Sequence, residues 1–523
     1  MKNLTFLSLC LVALGLCTQT WAQETTTKSN EDNPLFKNLS KVKGPFEGND
    51  KSLSQYKYPK WFRDAKFGVW AHWGPQAVPR QGDWYARKMY LEYNYKKRVK
   101  TDQKEKCFVY HRDHYGPQSK VGYKDIIKKW KAEHFDPDSL MRLYKKIGAK
   151  YFVSMGAHHD NFFLWNSKIH KWNAVNMGPH RDIVAAWQKA AKREGLPFGL
   201  SEHLGASYTW WQPTKTADKT GKYKGIPYDT NDPQYEDLYQ MKLDPSDKGW
   251  YTTNPICQLD WYSKIYELIT LYKPDLLYSD GPVAFDYVGK SIIADLYNQK
   301  INAKGETEAV YNCKESSNHR FVRDMERGSM DKISPLPWQT DTSIGNWFYC
   351  EGQGYKTATQ IAQMLVDIVS KNGNLLLNIV QTPEGDLEDD VMKIVNEFGI
   401  WMHDNSEGIY GTRPWSVYGE GPSTLTQQEK GSHGGIKDVR PYASTDLRFT
   451  QKENKLYTFV MEHPKENIVI KAIKANQHVK DITILGTNEP LTFKQDAQTG
   501  TLTIDKPNIL PAYAVTCYRI TFE

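Results

Sequence analysis

"DPDSLMRLYKKIGAKYFVSMGAHHD", residues 136–160, changes its periodicity halfway along. Asp136 stands where a helix cap belongs, Pro137 suits the first turn, and Leu140, Leu143, Tyr144 and Ile147 share one helical face. Gly148 ends the helix. "KYFVSM" then runs apolar without alternation, as a strand covered on both faces does, and leads into His158, His159 and Asp160.

The same unit returns along the chain. "RDIVAAWQKAAKREG" (181–195) precedes "LPFGLSEHL" (196–204), and "QLDWYSKIYELITLYK" (258–273) precedes "PDLLYSDG" (274–281). A helix over 289–303 leads to "EAVYNC" (308–313), "TATQIAQMLVDIVSKNG" (357–373) leads to "NLLLNIV", and "KFGVWAHWG" (66–74) stands before them all. Helices alternating with buried strands require a parallel sheet. Their number favours a closed (β/α)8-like barrel, regular or irregular, over an open doubly wound sheet. The open sheet lacks its glycine-rich phosphate loop after the first strand. A helix over 387–404 closes the series.

Beyond it the character changes. "KLYTFVMEHP", "NIVIKAI", "VKDITILG" and "AVTCYRITFE" are short β-rich runs separated by turn residues, which predicts an all-β sandwich. The organisation read from the sequence is a signal peptide over 1–22, a loose polar leader over 23–54, the barrel over 55–410 and the sandwich over 415–523.

The first 22 residues combine Lys2, the apolar run "LTFLSLCLVALGLC" and "TWA", a secretory signal too short to span a bilayer. The mature protein is therefore expected to be exported, periplasmic or extracellular, with no membrane span. Its removal takes two of the seven cysteines and one lysine, leaving five Cys and lowering the formal charge of +7 by one. An odd number without a CxxC pair signals neither a disulfide framework nor a zinc ribbon. The basic run "KKRVK" (96–100) reads as a solvated face, or as an attraction for an anionic polymer. No nucleic-acid motif is present. Aromatic residues make up 13% of the chain, enough both for a Trp-rich core and for flat faces against a sugar ring.

In a barrel of this kind chemistry sits at the C-terminal ends of the strands. There the sequence puts His72 and Trp73, then His158, His159 and Asp160, then Glu202 and His203, then Asp280. Three chemistries could use them. Zinc hydrolysis would draw on the histidines, but HExxH spacing is absent. A serine nucleophile at Ser279 lacks its GxSxG turn. Glycoside hydrolysis needs two carboxylates among aromatics and hydrogen-bond donors, and fits best.

These residues also carry a resemblance. "WFRDAKFGVWAHWGPQAVP" (61–79), "GDWYARKMY" (82–90), "HRDHYG" (111–116), "AKYFVSMGAHHDNFFLWNSKIHKWNAV" (149–175) and "KNGNLLLNI" (371–379) resemble, in order, motifs of the retaining α-L-fucosidases. The resemblance implies that Asp280 of "YSDG" is the nucleophile and that no cofactor or metal takes part. It also implies that His72, His158 and His159 bind sugar hydroxyls and that Asp83 and Trp84 line the pocket. His203 belongs with them as a strand-end donor. The acid/base is taken as Glu326 of "FVRDMERGSMD", with Glu315 and Asp324 as alternatives. Trp338 of "PWQTDTSIGNW", the segment similar to the family's downstream motif, is taken as a pocket aromatic.

Departures fall on mouth loops. "GLSEHLGASYTWW" replaces a Tyr-rich run, Asp83 stands for Glu, "DNF" for "DGF" and "NIVQ" for "NIGP". They leave open an α-L-galactosidase acting on galactans, including sulfated algal ones, since a pocket rejects one added hydroxyl only modestly. A glycan-binding protein on a decayed enzyme scaffold is the reading from another class. The expected partner is an oligo- or polysaccharide ending in α-L-fucose or α-L-galactose.

Overall fold

The structure is a computed structural model describing residues 33–37, 39–93, 105–426, 428–431, 435–487, 489 and 491–523. The signal peptide and "KKRVK" lie outside the described residues. Eight strands close a parallel barrel in chain order. They are β1 (Phe67–Ala71), β2 (Phe152–Ala157), β3 (Phe198–Glu202), β4 (Leu276–Ser279), β5 (Val310–Cys313), β6 (Val322–Asp324), β7 (Trp338–Ser343) and β8 (Gly373–Asn378). Closure comes from β1 lying beside β8, with Val69 opposite Leu377.

The helices outside follow from their sequences. In α1 (Pro137–Lys146) the Asp136 carboxylate accepts from the amides of Asp138 and Ser139, while Leu140, Met141 and Tyr144 are buried. Gly148 then adopts φ +100, and a Cβ there would meet the Tyr410 hydroxyl at 2.6 Å, so only glycine turns the chain here without strain. α2 (Ile183–Glu194) is capped by Asp182 and α3 (Pro255–Tyr272) by Asn254. α4 (Tyr287–Asn298) ends five residues before the predicted 303, α5 (Ala358–Ser370) opens with a Thr357–Gln360 capping box, and α6 (Asp389–Asn405) follows β8.

Two strands escaped the sequence reading. β6 has only three residues, and β7, "WQTDTS", is polar yet wholly buried. Its polar groups are paired inside the barrel: Gln339 accepts from Tyr151 at 2.9 Å and donates to Asp324 at 2.9 Å, and Asp341 accepts from Tyr278 at 3.1 Å.

The leader also needs correcting. From Asn33 onward it is not loose: Phe36, Leu39, Phe46 and Leu53 are buried. One oxygen of Asp295 on α4 accepts the amides of Lys41 and Val42, both at 2.8 Å, and Asn298 accepts that of Phe46 at 3.0 Å. The sequence looked polar because the anchoring residues are sparse and their partners lie some 250 positions away.

The C-terminal part holds two antiparallel sheets. β9 (Arg413–Glu420), β10 (Leu447–Lys452), β11 (Lys455–Val460), β13 (Val479–Ile484) and β16 (Thr516–Phe522) form one, in the order β9-β10-β11-β16-β13. β12 (Ile468–Ile470), β14 (Phe493–Gln495) and β15 (Leu502–Ile504) form the other. Phe449, Leu456, Ile470, Ile484, Ile504 and Ile520 share the apolar core of this part. It is fastened to the barrel, for example by the Trp401 indole on the Val515 carbonyl at 2.8 Å. Among the described residues the five cysteines are free thiols, and no helix is long and apolar enough to cross a membrane.

Candidate active site

Successive strands deliver polar groups to the same mouth. His72 follows β1, His158 and His159 follow β2, His203 follows β3, Asp280 follows β4 and Lys314 follows β5; Glu326 lies just past β6, and Asp341 is on β7. Together with Asp83, Trp84, Trp250 and Trp347 from loops, they line a cavity of about 660 Å³. Trp84 holds φ +65, an unusual conformation for a bulky side chain and one that concentrates at functional sites.

Asp280 is the centre of the electrostatics. Its Oδ1 meets the Lys314 ammonium at 2.5 Å and its Oδ2 meets His159 Nε2 at 3.3 Å. The backbone holds it too, since its amide donates to the Glu202 carbonyl at 3.0 Å. Burial opposes its ionisation, but the Lys314 ammonium and the hydrogen bond from His159 outweigh burial and hold the carboxyl well below the usual carboxylate range. Burial likewise disfavours charge on Lys314, yet Asp280, Glu326 and Asp341 keep the ammonium charged and raise its pKa.

The same ammonium bonds Glu326 Oε2, and the Trp347 indole donates to Glu326 Oε1 at 3.2 Å. One nitrogen in contact with both carboxylates sets a limit on their separation: two hydrogen-bond lengths place the nearest oxygens no more than about 6 Å apart.

The histidines have assigned neighbours. His159 Nδ1 faces the His203 carbonyl at 2.6 Å, and His158 Nδ1 faces the Gln76 amide at 3.0 Å. Burial pushes His72 and His158 well below the ordinary imidazole range, and His203 down to about 3, so these three rings are neutral near pH 7. Their ligand atoms lie within 4.8 Å of one another, so they could hold a cation. They equally present neutral donors and acceptors to hydroxyl groups. Asp83 stands 3.8 Å from His158 Nε2, and burial raises its carboxyl to about 6. Burial and the adjacent Asp341 push Asp324 well above the carboxylate range.

Several sequence-predicted residues are elsewhere. Trp338 does not reach the pocket: it begins β7, at the opposite end of the strand from the mouth, and its indole donates to the Lys371 carbonyl at 2.9 Å. In that stretch Trp347 is the tryptophan that lines the pocket. Glu315 is held by Arg320 at 2.7 Å and does not line the cavity, nor does Asp324. Trp73, Asp160 and Glu202 are buried in the wall, bonded to the Thr382 carbonyl, the Tyr123 hydroxyl and the Leu204 amide. Lys314, Asp341, Trp250 and Trp347 were missed. Lys314 had a signal, because it follows "EAVYNC" just as Asp280 follows "DLLYS".

Comparison with known proteins finds one family over most of the chain. The Alpha-L-fucosidase family model matches residues 35–407, and the Alpha-L-fucosidase C-terminal domain matches 440–521. Tissue alpha-L-fucosidase of Mus musculus is 28% identical over 480 residues, covering 88% of this chain and 90% of its own. That of Homo sapiens is 26% identical, covering 88% of each. Among solved structures, the alpha-fucosidase of Thermotoga maritima in complex with fucose is similar with a TM-score of 0.68 and 25% identity, over 90% of this chain and 99% of that one.

Proposed function

The chain belongs to the α-L-fucosidase family of glycoside hydrolases, and from that premise we propose that it releases terminal α-L-fucose from glycans with retention, by double displacement. The supporting observation is the Lys314 ammonium shared by Asp280 and Glu326. Retaining enzymes hold their two carboxyls about 5–5.5 Å apart and inverting ones about 6.5–9.5 Å, and a single shared cation favours the close pair.

Asp280, ionised and fixed by Lys314 and His159, attacks the anomeric carbon. Glu326 in its acid form protonates the leaving oxygen, then takes a proton from water as the glycosyl–Asp280 ester is hydrolysed. The neutral His72, His158 and His203 hydrogen-bond ring hydroxyls, with His159 supporting both the nucleophile and the sugar. Trp84, Trp250 and Trp347 offer apolar faces to the ring and its C6 methyl. The ionised Asp280 beside the anomeric carbon favours the positive charge of an oxocarbenium-like transition state.

Proton NMR of the first-formed sugar from an aryl α-L-fucoside tests the reading. The α anomer is expected; the β anomer would overturn retention. A parallel aryl α-L-galactoside reports the sugar preference, and faster turnover there would move the substrate to L-galactosides. Dialysis against a chelator is expected to leave the rate unchanged. Residues 1–22 act as an export signal in this reading, and N-terminal sequencing of the exported chain should begin at Gln23.

A further inference from the structure

The loop that carries Glu326 is held from outside the barrel. Two residues beyond Glu326, Gly328–Ser329 form a short antiparallel pair with Ile436–Lys437, a segment that lies between β9 and β10. Gly435 sits directly against this loop. It has φ +60, and a Cβ there would stand 2.3 Å from the Ser329 carbonyl oxygen and 2.4 Å from the Met325 sulfur. Met325 is the residue before Glu326, so the fit at Gly435 bears on the acid/base itself.

A buried charge cluster anchors the same loop. Ser329 Oγ donates to Asp367 of α5 at 2.8 Å. Lys371 bonds that carboxylate at 2.8 Å, Arg440 at 2.6 Å and Arg448 of β10 at 2.7 Å. Next along the segment, Asp438 accepts from Thr342 of β7 at 2.8 Å. Joining the two parts of the chain would require none of this to converge on one loop, because their apolar contact already does so through Trp401 and its neighbours.

We propose that the 435–440 segment, with Gly435 and the Asp367–Ser329 link, positions Glu326 for proton transfer, so that the C-terminal part contributes to the acid/base half of catalysis. This rests on the reading of Glu326 as acid/base. The segment touches no reacting atom; its residues are positioning residues, acting through Met325 and Ser329 on either side of Glu326.

Leaving-group dependence separates such a role from bracing. A good leaving group such as 2,4-dinitrophenolate departs without protonation, whereas a sugar alkoxide needs the acid. Loss of stability lowers both rates together. The measurement is kcat/KM for 2,4-dinitrophenyl α-L-fucoside and for a fucosyl disaccharide, in wild type, Glu326→Gln, Gly435→Val and Ser329→Ala.

Glu326→Gln is expected to lose about 10³-fold on the disaccharide and under about 10-fold on the dinitrophenyl substrate. Gly435→Val should show the same selectivity at smaller scale, about 10-fold against about 2-fold, with Ser329→Ala weaker in the same direction. Ser329→Ala introduces no clash and carries the test if Gly435→Val fails to fold. Equal losses on both substrates, or none, in the positioning variants while Glu326→Gln stays selective would overturn the proposal and leave the acid/base reading standing. An unselective Glu326→Gln would sink that reading and the proposal with it.

Discussion

Asp280 and Asp367 are both buried carboxylates held well below their ordinary range, and they serve opposite ends. At Asp280 one ammonium is divided between two carboxylates, Asp341 and Asp83 stand nearby, and the group opens into a cavity. At Asp367 three cations surround one carboxylate, the faces of Tyr418 and Tyr442 cover the surplus positive charge, and none of the three lines the catalytic cavity. A depressed carboxyl therefore does not mark a site. The balance of charge around it and its access to a cavity distinguish the two. The first carboxylate faces a cavity in which a cationic transition state can meet it; the second is enclosed by its own cations.

The contrast can be broken at either carboxylate. Asp280→Asn should lower fucoside hydrolysis by at least about 10³-fold with a smaller fall in the urea midpoint than Asp367→Asn, since Lys314 keeps Glu326 as a partner, read by steady-state rates and equilibrium unfolding on the same sample. Asp367→Asn should lose mainly stability, and of activity chiefly the acid-dependent turnover of a disaccharide that its link to Ser329 supports. Three buried cations lose their counter-charge, and stability should fall by about 3–5 kcal/mol in urea unfolding. The pH dependence has a definite sign. Asp367 has a folded pKa below its unfolded one, so its stabilisation is present above the unfolded value of about 3.9 and is lost as pH falls from there towards the folded value. Wild type should therefore show a steeper acid loss than Asp367→Asn.

Lys314→Met sharpens the first half of the comparison. Removing the ammonium lets burial raise the Asp280 carboxyl, so the acid limb of the kcat/KM profile should move to higher pH, with a loss of about 10²-fold near neutrality. The smallest effect belongs to Trp347→Phe, which keeps an aromatic face and removes one donor to Glu326. About a 10-fold fall in kcat/KM for a disaccharide, and less for an activated aryl fucoside, is the expected outcome.

How much of this could be read from the chain follows from what each residue's neighbours are. The units at 136–160 and 258–281 declare themselves because cap, apolar face, glycine stop and strand lie in one stretch. His72, His158, His159, His203 and Asp280 were legible for the same reason, each following a recognisable apolar run. β7 was not, because its polarity is satisfied by Tyr151, Asp324 and Tyr278, none of them adjacent in sequence. That hidden strand is also why Trp338 was misplaced: with no strand drawn at 338–343, nothing showed that it stands at the end away from the mouth. The Asp367 cluster was illegible throughout, since its cations come from positions 371, 440 and 448.

The tie between residues 33–54 and α4 bears on the order in which the chain can be completed. The amides of Lys41 and Val42 find their acceptor 254 and 253 residues downstream. At ribosomal rates of about 5–20 residues per second, that acceptor emerges on the order of tens of seconds later. These early residues can thus complete their docking only late, and a nascent chain stopped before α4 leaves the amides of Lys41 and Val42 without their acceptor.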